Sequence, residues 1–274
     1  MSPTAQALAR TYSDREYPDP WQKVLDYRRV REYATDHPEH GRTRVGNALD
    51  LPPSRVRTWL NDGMPDSVRG IQTAADHGWL DPDDETAAAF VELLAHVLAG
   101  GTISDAFVPA ITVDDSTAID EVRSVFEALT VGIVTRNADI DNRATEMIPA
   151  TDASVLGRCL VAIEAPIGEK AGLDSFPRIV WDVPRPVRES FARIYVGHRA
   201  LTYETKDTQL IQENRSRAYL DDLRAVLADV TGEPVSVSDD RVTISAAAAR
   251  RLADSTCPGV TVGFTREGGP DRGR

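Results

Sequence analysis

The sequence predicts an α+β protein in which an all-α N-terminal domain is followed by two copies of one αββαββα unit. Three observations carry this prediction: helical spacing of apolar residues in the first 80 positions, a Pro- and Asp-rich break at residues 81–84, and an internal repeat beyond the break. The stretch IDEVRSVFEALT (residues 119–130) matches LDDLRAVLADVT (residues 220–231) in character at most positions. Two such copies predict a pseudo-dimer built within one chain.

The N-terminal domain is predicted to span residues 21–82. A first helix starts at Trp21, because apolar residues recur there at helical spacing, and stops near His37. Two short helical segments follow, and a fourth helix starts after Pro65 and ends at Gly78. Residues 1–20 mix proline and serine with scattered charges, and residues 257–274 end in GGPDRGR, so both are predicted to be disordered tails.

Each predicted copy contains the same elements in the same order. Copy 1 spans residues 84–165, with helices at 85–100, 119–130 and 153–163 and strand patterns at 107–113, 132–137 and 145–150. Copy 2 spans residues 186–256, with helices at 186–197, 220–231 and 246–254 and strand patterns at 208–212, 234–238 and 241–245. A linker is predicted at residues 166–185. Chance similarity of two amphipathic helices is the alternative, and the matched flanking elements disfavour it.

Residues 42–61, RTRVGNALDLPPSRVRTWLN, have the apolar spacing of a helix-turn-helix. The apolar positions are separated by 4, 2, 5 and 3 residues: Val45, Leu49, Leu51, Val56 and Trp59. Gly46 permits close approach of the two helices, and Asp50 occupies the turn position where glycine is common, because Asp tolerates left-handed backbone. Pro53 suits the first position of the second helix.

Polar side chains of this segment form a set able to read DNA. The predicted DNA-binding residues are Arg42, Arg44, Ser54, Arg55, Arg57, Thr58 and Asn61. Arginine pairs with guanine and asparagine with adenine in the major groove. Four arginines stand against one acid between residues 41 and 60, although the chain carries a net charge of −12. The partner is therefore predicted to be double-stranded DNA, bound by a possible homodimer, since helix-turn-helix domains often read half-sites in pairs. A hairpin that only packs against protein is the alternative.

Composition points to a soluble cytoplasmic protein without membrane contact, because no 18-residue apolar run exists and the two cysteines match no zinc or disulfide spacing. Only three of the 31 cations are lysine. An acidic, lysine-poor surface keeps a protein hydrated in molar salt, so a halophilic, archaeal source is predicted, with an ordinary acidic mesophilic protein as the alternative.

The repeat, headed in each copy by a helix, resembles the LAGLIDADG homing endonucleases. The matching helices are LLAHVLAGGTI (residues 93–103) and FARIYVGHRAL (residues 191–201). The resemblance implies that the two heading helices pack at a pseudo-twofold axis, that the strands saddle the DNA, and that His96 and His198 can face each other there. Lys170, in the predicted linker, is similar to the linker lysines that approach DNA in that family.

The resemblance further implies an acidic metal ligand at the end of each heading helix, because hard oxygen ligands hold Mg²⁺ beside the scissile phosphate. Gly100 and Arg199 occupy those positions and cannot ligate a metal. No catalytic residue, metal ligand or cofactor is therefore predicted, and Arg199 is predicted to grip a phosphate instead. Mg²⁺ is expected as a cofactor only if the protein is instead an active endonuclease. In that alternative, the displaced carboxylates Asp105 and Glu204 would bind the metal.

These observations predict a transcriptional regulator built on an endonuclease fold that has lost cleavage. The combination of modules also resembles the sporulation regulators of the WhiA type, in which the order along the chain is reversed. An active metal-dependent endonuclease and a protein-interaction scaffold are the alternatives.

Overall fold

A computed structural model describes residues 2–113, 116–138, 140, 143–171, 173–203 and 206–254. Over these ranges the chain forms eleven α-helices and eight β-strands. They fall into two compact units, Pro3–Asp81 and a second that runs from Pro82 onward. None of the helices in the described ranges has the length and apolar character needed to cross a membrane. The predicted tail at residues 257–274 lies outside the described residues.

The N-terminal unit contains five helices. They are α1 (Ala5–Arg10), α2 (Pro20–Asp36), α3 (Arg42–Leu49), α4 (Pro53–Leu60) and α5 (Asp66–Asp76). The prediction that residues 1–20 are disordered is wrong, because α1 packs against α2 and α5 and fully buries Leu8 and Ala9. Tyr17 is buried as well. The segment is too short and mixed to show a hydrophobic period, and its order comes from tertiary contacts.

The core beneath α3 and α4 is apolar and contains the residues that the spacing predicted. Val45, Val56 and Trp59 are buried with Val30 of α2, and Leu49 and Leu51 pack against them partly buried. Two arginines of α2 also reach the ends of these helices. Arg29 donates to the carbonyl of Leu49 at 3.4 Å, and Arg31 donates to the carbonyl of Trp59 at 3.2 Å. Basic side chains that donate to the last carbonyls stabilise helix C-termini. Through these two arginines, α2 therefore stabilises the C-terminal ends of α3 and α4.

The order αββαββα predicted for each copy is confirmed in the C-terminal unit. Copy 1 consists of α6 (Asp84–Gly100), β1 (Gly101–Ile103), β2 (Pro109–Val113), α7 (Ser116–Ala128), β3 (Ile133–Arg136), β4 (Thr145–Pro149) and α8 (Ala153–Ala162). Copy 2 consists of α9 (Arg185–Arg199), β5 (Ala200–Tyr203), β6 (Lys206–Gln212), α10 (Arg217–Thr231), β7 (Val235–Ser238), β8 (Arg241–Ile244) and α11 (Ala246–Asp254). Each copy forms one antiparallel sheet, in the orders β1-β2-β4-β3 and β5-β6-β8-β7. The two sheets therefore repeat one topology.

The segment predicted as a linker is part of the folded core. It contains a short 3₁₀ helix, Arg178–Val180, and buries Phe176, Ile179 and Val180. The Phe176 ring lies edge-on to Phe191 of α9, with ring centroids 5.6 Å apart. Edge-to-face aromatic contacts add stability beyond the apolar area they bury, so the segment ties the second heading helix to the rest of the unit.

The heading helices α6 and α9 pack directly against each other, as the resemblance implied. Gly100 permits this contact at the C-terminal end of α6. A Cβ atom at this position would lie 2.3 Å from Nδ1 of His198. The missing carboxylate at position 100 is thus accompanied by a close packing contact, and any side chain there would have to displace the His198 ring.

Candidate nucleic-acid interface

The proposed base-reading residues of α4 lie on one face of the helix. Positions 54, 57, 58 and 61 follow the i, i+3, i+4, i+7 spacing that places side chains above one another. Together with Arg42, at the start of α3, and Pro53, they line one open cleft. All five polar residues are exposed. Asn61 is the C-cap of α4 and not a residue within the helix, yet it remains part of the same cleft.

The turn between α3 and α4 is held by the local features that the sequence predicted. Asp50 adopts left-handed backbone, with φ 55° and ψ 47°, and the Leu51 amide donates to the carbonyl of Gly46 at 2.9 Å. A Cβ atom on Gly46 would lie only 2.7 Å from the Leu51 carbonyl oxygen, so glycine is required for this approach. Pro53 is the first residue of α4, as predicted. The turn thereby places the side chains of Arg42 and Arg57 along the same cleft.

Two of the predicted DNA-binding arginines lie apart from the cleft. Arg44 is exposed on α3 but does not line it. Arg55 is directed to the segment before α2, where its Nη2 donates to Glu16 at 2.8 Å and its Nη1 donates to the Tyr17 hydroxyl at 2.9 Å. The guanidinium also lies over the Tyr17 ring, 4.6 Å from its centroid. Arg55 therefore holds α4 in place, and a role in base reading would require breaking these contacts.

A buried carboxylate completes the attachment of α4. The Tyr17 hydroxyl donates to Oδ2 of Asp26 at 3.0 Å, and Gln22 and Arg29 both donate to Oδ1 at 3.0 Å. Burial, and then the hydrogen bond that the Tyr17 hydroxyl donates to Asp26, raise the pKa of Tyr17 to about 12. The phenol therefore stays protonated and remains a hydrogen-bond donor across the physiological pH range.

His96 and His198 face each other between α6 and α9, which confirms the expectation for this pair. His96 Nδ1 lies 2.8 Å from Nε2 of His198. One nitrogen must donate and the other accept, so the two rings cannot both carry a proton on these atoms. Burial, and then the positive charges that His198 and Arg193 can carry, hold the pKa of His96 well below 6.5.

The neutral state of His96 predicts acid sensitivity. An unfolded chain takes up a proton near pH 6.5, whereas the folded chain does not, so stability is full above pH 6.5 and falls as the pH drops below it, by at most about 1.4 kcal/mol per pH unit. Urea unfolding at pH 7.5, 6.5 and 5.5 measures this slope. The neighbouring Glu92 contributes with the opposite sign, because burial raises its pKa.

The matched control for this prediction is His96→Gln, which keeps Glu92 and removes the titrating imidazole. We expect this variant to lose less stability than the wild type between pH 6.5 and 5.5. An equal slope in both proteins would contradict the assignment to His96.

Three cations gather at the C-terminal end of α6, where the resemblance implies a metal. Lys170 Nζ donates to the carbonyls of Val97 at 2.6 Å, Leu98 at 3.2 Å and Gly101 at 2.5 Å. Arg215 donates to the carbonyl of Leu98 at 2.6 Å. Burial, and then the charges of Arg215 and Arg199, lower the pKa of Lys170 to about 8. These cations occupy the negative end of the helix dipole.

The acid beside these cations, Glu213, is buried, and both of its oxygens are engaged. Oε1 accepts from the Tyr195 hydroxyl at 2.7 Å and from Arg199 Nε at 2.8 Å. Oε2 accepts from Arg199 Nη2 at 2.9 Å and from Arg215 Nε at 3.2 Å. The expectation that Arg199 grips a phosphate is therefore corrected, because its planar fork is already paired bidentately with this carboxylate.

Of the two predicted displaced carboxylates, only Asp105 lies within the described residues. Asp105 is exposed in the turn between β1 and β2, and Glu204 lies outside the described residues. Sequence reasoning missed Glu213, Arg215 and the capping role of Lys170. Glu213 sits in the polar run QENRSR (residues 212–217), which reads as a solvated loop, so no local signal distinguishes it.

Comparison with known proteins gives little beyond the fold. No family model and no curated protein matches the chain. Among solved structures, the homing endonuclease I-WcaI bound to its DNA recognition sequence is similar, with a TM-score of 0.46 and 10% sequence identity, over 68% of this chain and 87% of that chain. At this level of similarity, a functional assignment depends on the residues of the chain itself.

Proposed function

We propose that the protein is a sequence-specific double-stranded DNA-binding protein that reads the major groove with α4, the second helix of a helix-turn-helix. The observation that supports this most directly is the single cleft lined by Arg42, Ser54, Arg57, Thr58 and Asn61. The cleft combines side chains that bind phosphate with side chains that read base edges on one exposed helix face.

The distribution of charge supports the same proposal. Residues 3–81 carry 11 basic and 12 acidic side chains, whereas the remaining residues carry 20 and 31. The N-terminal unit is thus nearly neutral overall, and Arg42 and Arg57 make its cleft locally cationic. Phosphate contacts dominate the affinity of DNA-binding proteins, so the N-terminal unit is better suited to approach DNA than the acidic remainder.

We further propose that the protein regulates transcription and does not cleave DNA. Lys170, Arg199 and Arg215 surround the end of α6, and Glu213 has its oxygens engaged by two arginines and a tyrosine. A divalent cation placed there would meet like charges, and the hard oxygens described at this point, the Glu213 carboxylate and the carbonyls at the end of α6, are already engaged by these cations. This arrangement favours docking without metal-assisted hydrolysis.

The test is selection from a randomised pool of duplex DNA with Mg²⁺ present, at a KCl concentration at which circular dichroism shows folded protein. We expect enrichment of intact fragments that share a sequence, with paired half-sites if two chains bind together. Enriched fragments with defined cut ends would contradict the loss of cleavage. Absence of enrichment would contradict DNA binding and favour the scaffold alternative.

Arg42 provides a quantitative prediction for the selected site. Because Arg42 lies beside the base-reading face, we expect it to contact phosphate, and Arg42→Ala should reduce the slope of log K against log[KCl] by about one. Fluorescence anisotropy over a KCl series measures this slope. Arg69→Ala, which removes an exposed arginine of α5 outside the cleft, is the matched control. An equal slope in the Arg42→Ala variant and the wild type would remove Arg42 from the interface.

A further inference from the structure

A cluster of two imidazoles and a carboxylate lies in the loop between α2 and α3. His37, Glu39 and His40 each offer a ligand atom, and these atoms lie within 4.8 Å of one another. Within the cluster, Nε2 of His40 is 3.1 Å from an oxygen of Glu39. Two ligands on one tetrahedral Zn²⁺ are separated by a similar distance, given metal–ligand bonds of about 2.0–2.2 Å.

The backbone already holds the loop in a compact form. The His37 amide donates to the carbonyl of Tyr33 at 2.9 Å, which ends α2, and the His40 amide donates to the carbonyl of His37 at 3.0 Å. The two histidine rings are stacked at 15°, with centroids 4.9 Å apart. An ion shared by both requires one ring to tilt, which the broad χ2 torsion of histidine permits at little cost.

A second, independent contact orients one of the imidazoles. The Tyr33 hydroxyl lies 3.1 Å from Nδ1 of His40, on the opposite side of the ring from Glu39. When Nδ1 donates to that oxygen, Nε2 carries the free lone pair. Metal-binding histidines in proteins are oriented by such a partner on the second nitrogen. Both histidines are half-buried, while Glu39 is exposed, so the cluster opens to solvent on one side.

From this geometry we infer that His37, Glu39 and His40 bind a divalent transition-metal ion of the Zn²⁺ type. Imidazole suits Zn²⁺, Co²⁺ and Ni²⁺ better than the hard cation Mg²⁺. Three protein ligands leave the fourth tetrahedral position for water. Gly41, the N-cap of α3, follows His40 directly, so a bound ion would stiffen the loop that leads into Arg42 and the cleft. Metal binding does not depend on the proposed DNA-binding function.

The test is a titration of the full-length protein with Co²⁺ at pH 7.5 in the absence of DNA, followed by visible absorption, with Zn²⁺ as the competitor. We expect one Co²⁺ per chain, displaced by Zn²⁺. His37→Gln and His40→Gln should each weaken binding by more than 100-fold, because they remove a ligand. Tyr33→Phe keeps all three ligands and removes only the orienting hydroxyl, so it should weaken binding about 10- to 100-fold.

Two control variants distinguish this site from casual binding by surface groups. His77→Gln removes a histidine of the same unit outside the cluster, and Glu32→Gln removes an exposed acid of α2. Both should bind Co²⁺ like the wild type, and circular dichroism checks that every variant is folded. The inference is overturned by a wild type that shows no Co²⁺ spectrum, or by His37→Gln and His40→Gln variants that bind as tightly as His77→Gln.

Discussion

Replacing both Arg57 and Asn61 by alanine is expected to weaken binding to the selected DNA site by about 2–6 kcal/mol, which is on the order of 30-fold to more than 10⁴-fold. The two side chains lie one turn apart on the exposed face of α4 and line the same cleft. Each can make a bidentate contact to a base, guanine for arginine and adenine for asparagine, and each such contact discriminates by about 1–3 kcal/mol.

Specificity should change together with affinity. Loss of base contacts leaves phosphate contacts in place, so binding of the double variant to unrelated duplex DNA should stay near the wild-type value. Anisotropy titrations with the selected site and with a scrambled duplex measure both quantities. Arg69→Ala is the control, because it also removes one positive charge but lies outside the cleft. Equal weakening on both duplexes would indicate that these residues act only through charge or stability.

Arg55→Ala is a different kind of variant, although sequence reasoning groups it with the others. Its guanidinium contacts Glu16 and the Tyr17 hydroxyl, so its removal should loosen α4. Reduced DNA binding in that variant would be accompanied by a lower thermal midpoint. The surface substitutions Arg57→Ala and Asn61→Ala should leave that midpoint nearly unchanged.

Glu213→Ala is expected to lower the free energy of unfolding by about 3–5 kcal/mol, the range measured when one partner of a buried ion pair is removed. Glu213 and Arg215 are each only 3% exposed at the side chain, and Arg199 is 36% exposed. Without the carboxylate, Arg215 remains buried between Lys170 and the Tyr195 and Tyr219 rings, with its charge uncompensated.

Urea unfolding of the C-terminal unit within the full chain measures the effect of Glu213→Ala. The conservative variant Glu213→Gln keeps two polar atoms and the shape, so it separates loss of charge from loss of volume. Glu189→Ala is the matched control, because Glu189 pairs with Arg185 on the surface of the same unit at 3.0 Å and should contribute at most about 1 kcal/mol. Equal destabilisation by Glu213→Ala and Glu189→Ala would contradict the buried-network account.

The C-terminal fold could be predicted in large part because its signals are local and repeated. Amphipathic spacing marked α7 and α10, and turn residues bounded three of the four strands in each copy. The first strand of each copy, β1 and β5, belongs to the predicted order but was assigned no residues, and the 3₁₀ helix at Arg178–Val180 was not predicted, since three or four residues carry no measurable period. The burial of α1 was also not predicted, because Leu8 and Ala9 are buried by contacts with α2 and α5, which lie further along the sequence.

The candidate interface was predictable to the extent that it follows from one helix. Positions 54, 57, 58 and 61 share a face by helical geometry alone, and Gly46 and Asp50 determine the turn through their own backbone preferences. The His37–His40 loop also carried a readable signal, two imidazoles and a carboxylate within four residues, which the sequence reasoning did not use.

The sequence by itself therefore determined the repeat, the turn between α3 and α4, and the set of residues on the outer face of α4. Only the tertiary structure decided which arginines remain available to a partner. Arg55 meets Glu16 across 39 residues of chain, and Arg215 meets the end of α6 across 117. Helical spacing and turn preference act over a few residues, whereas the pairing of charges depends on through-space distance and burial, which no local pattern encodes.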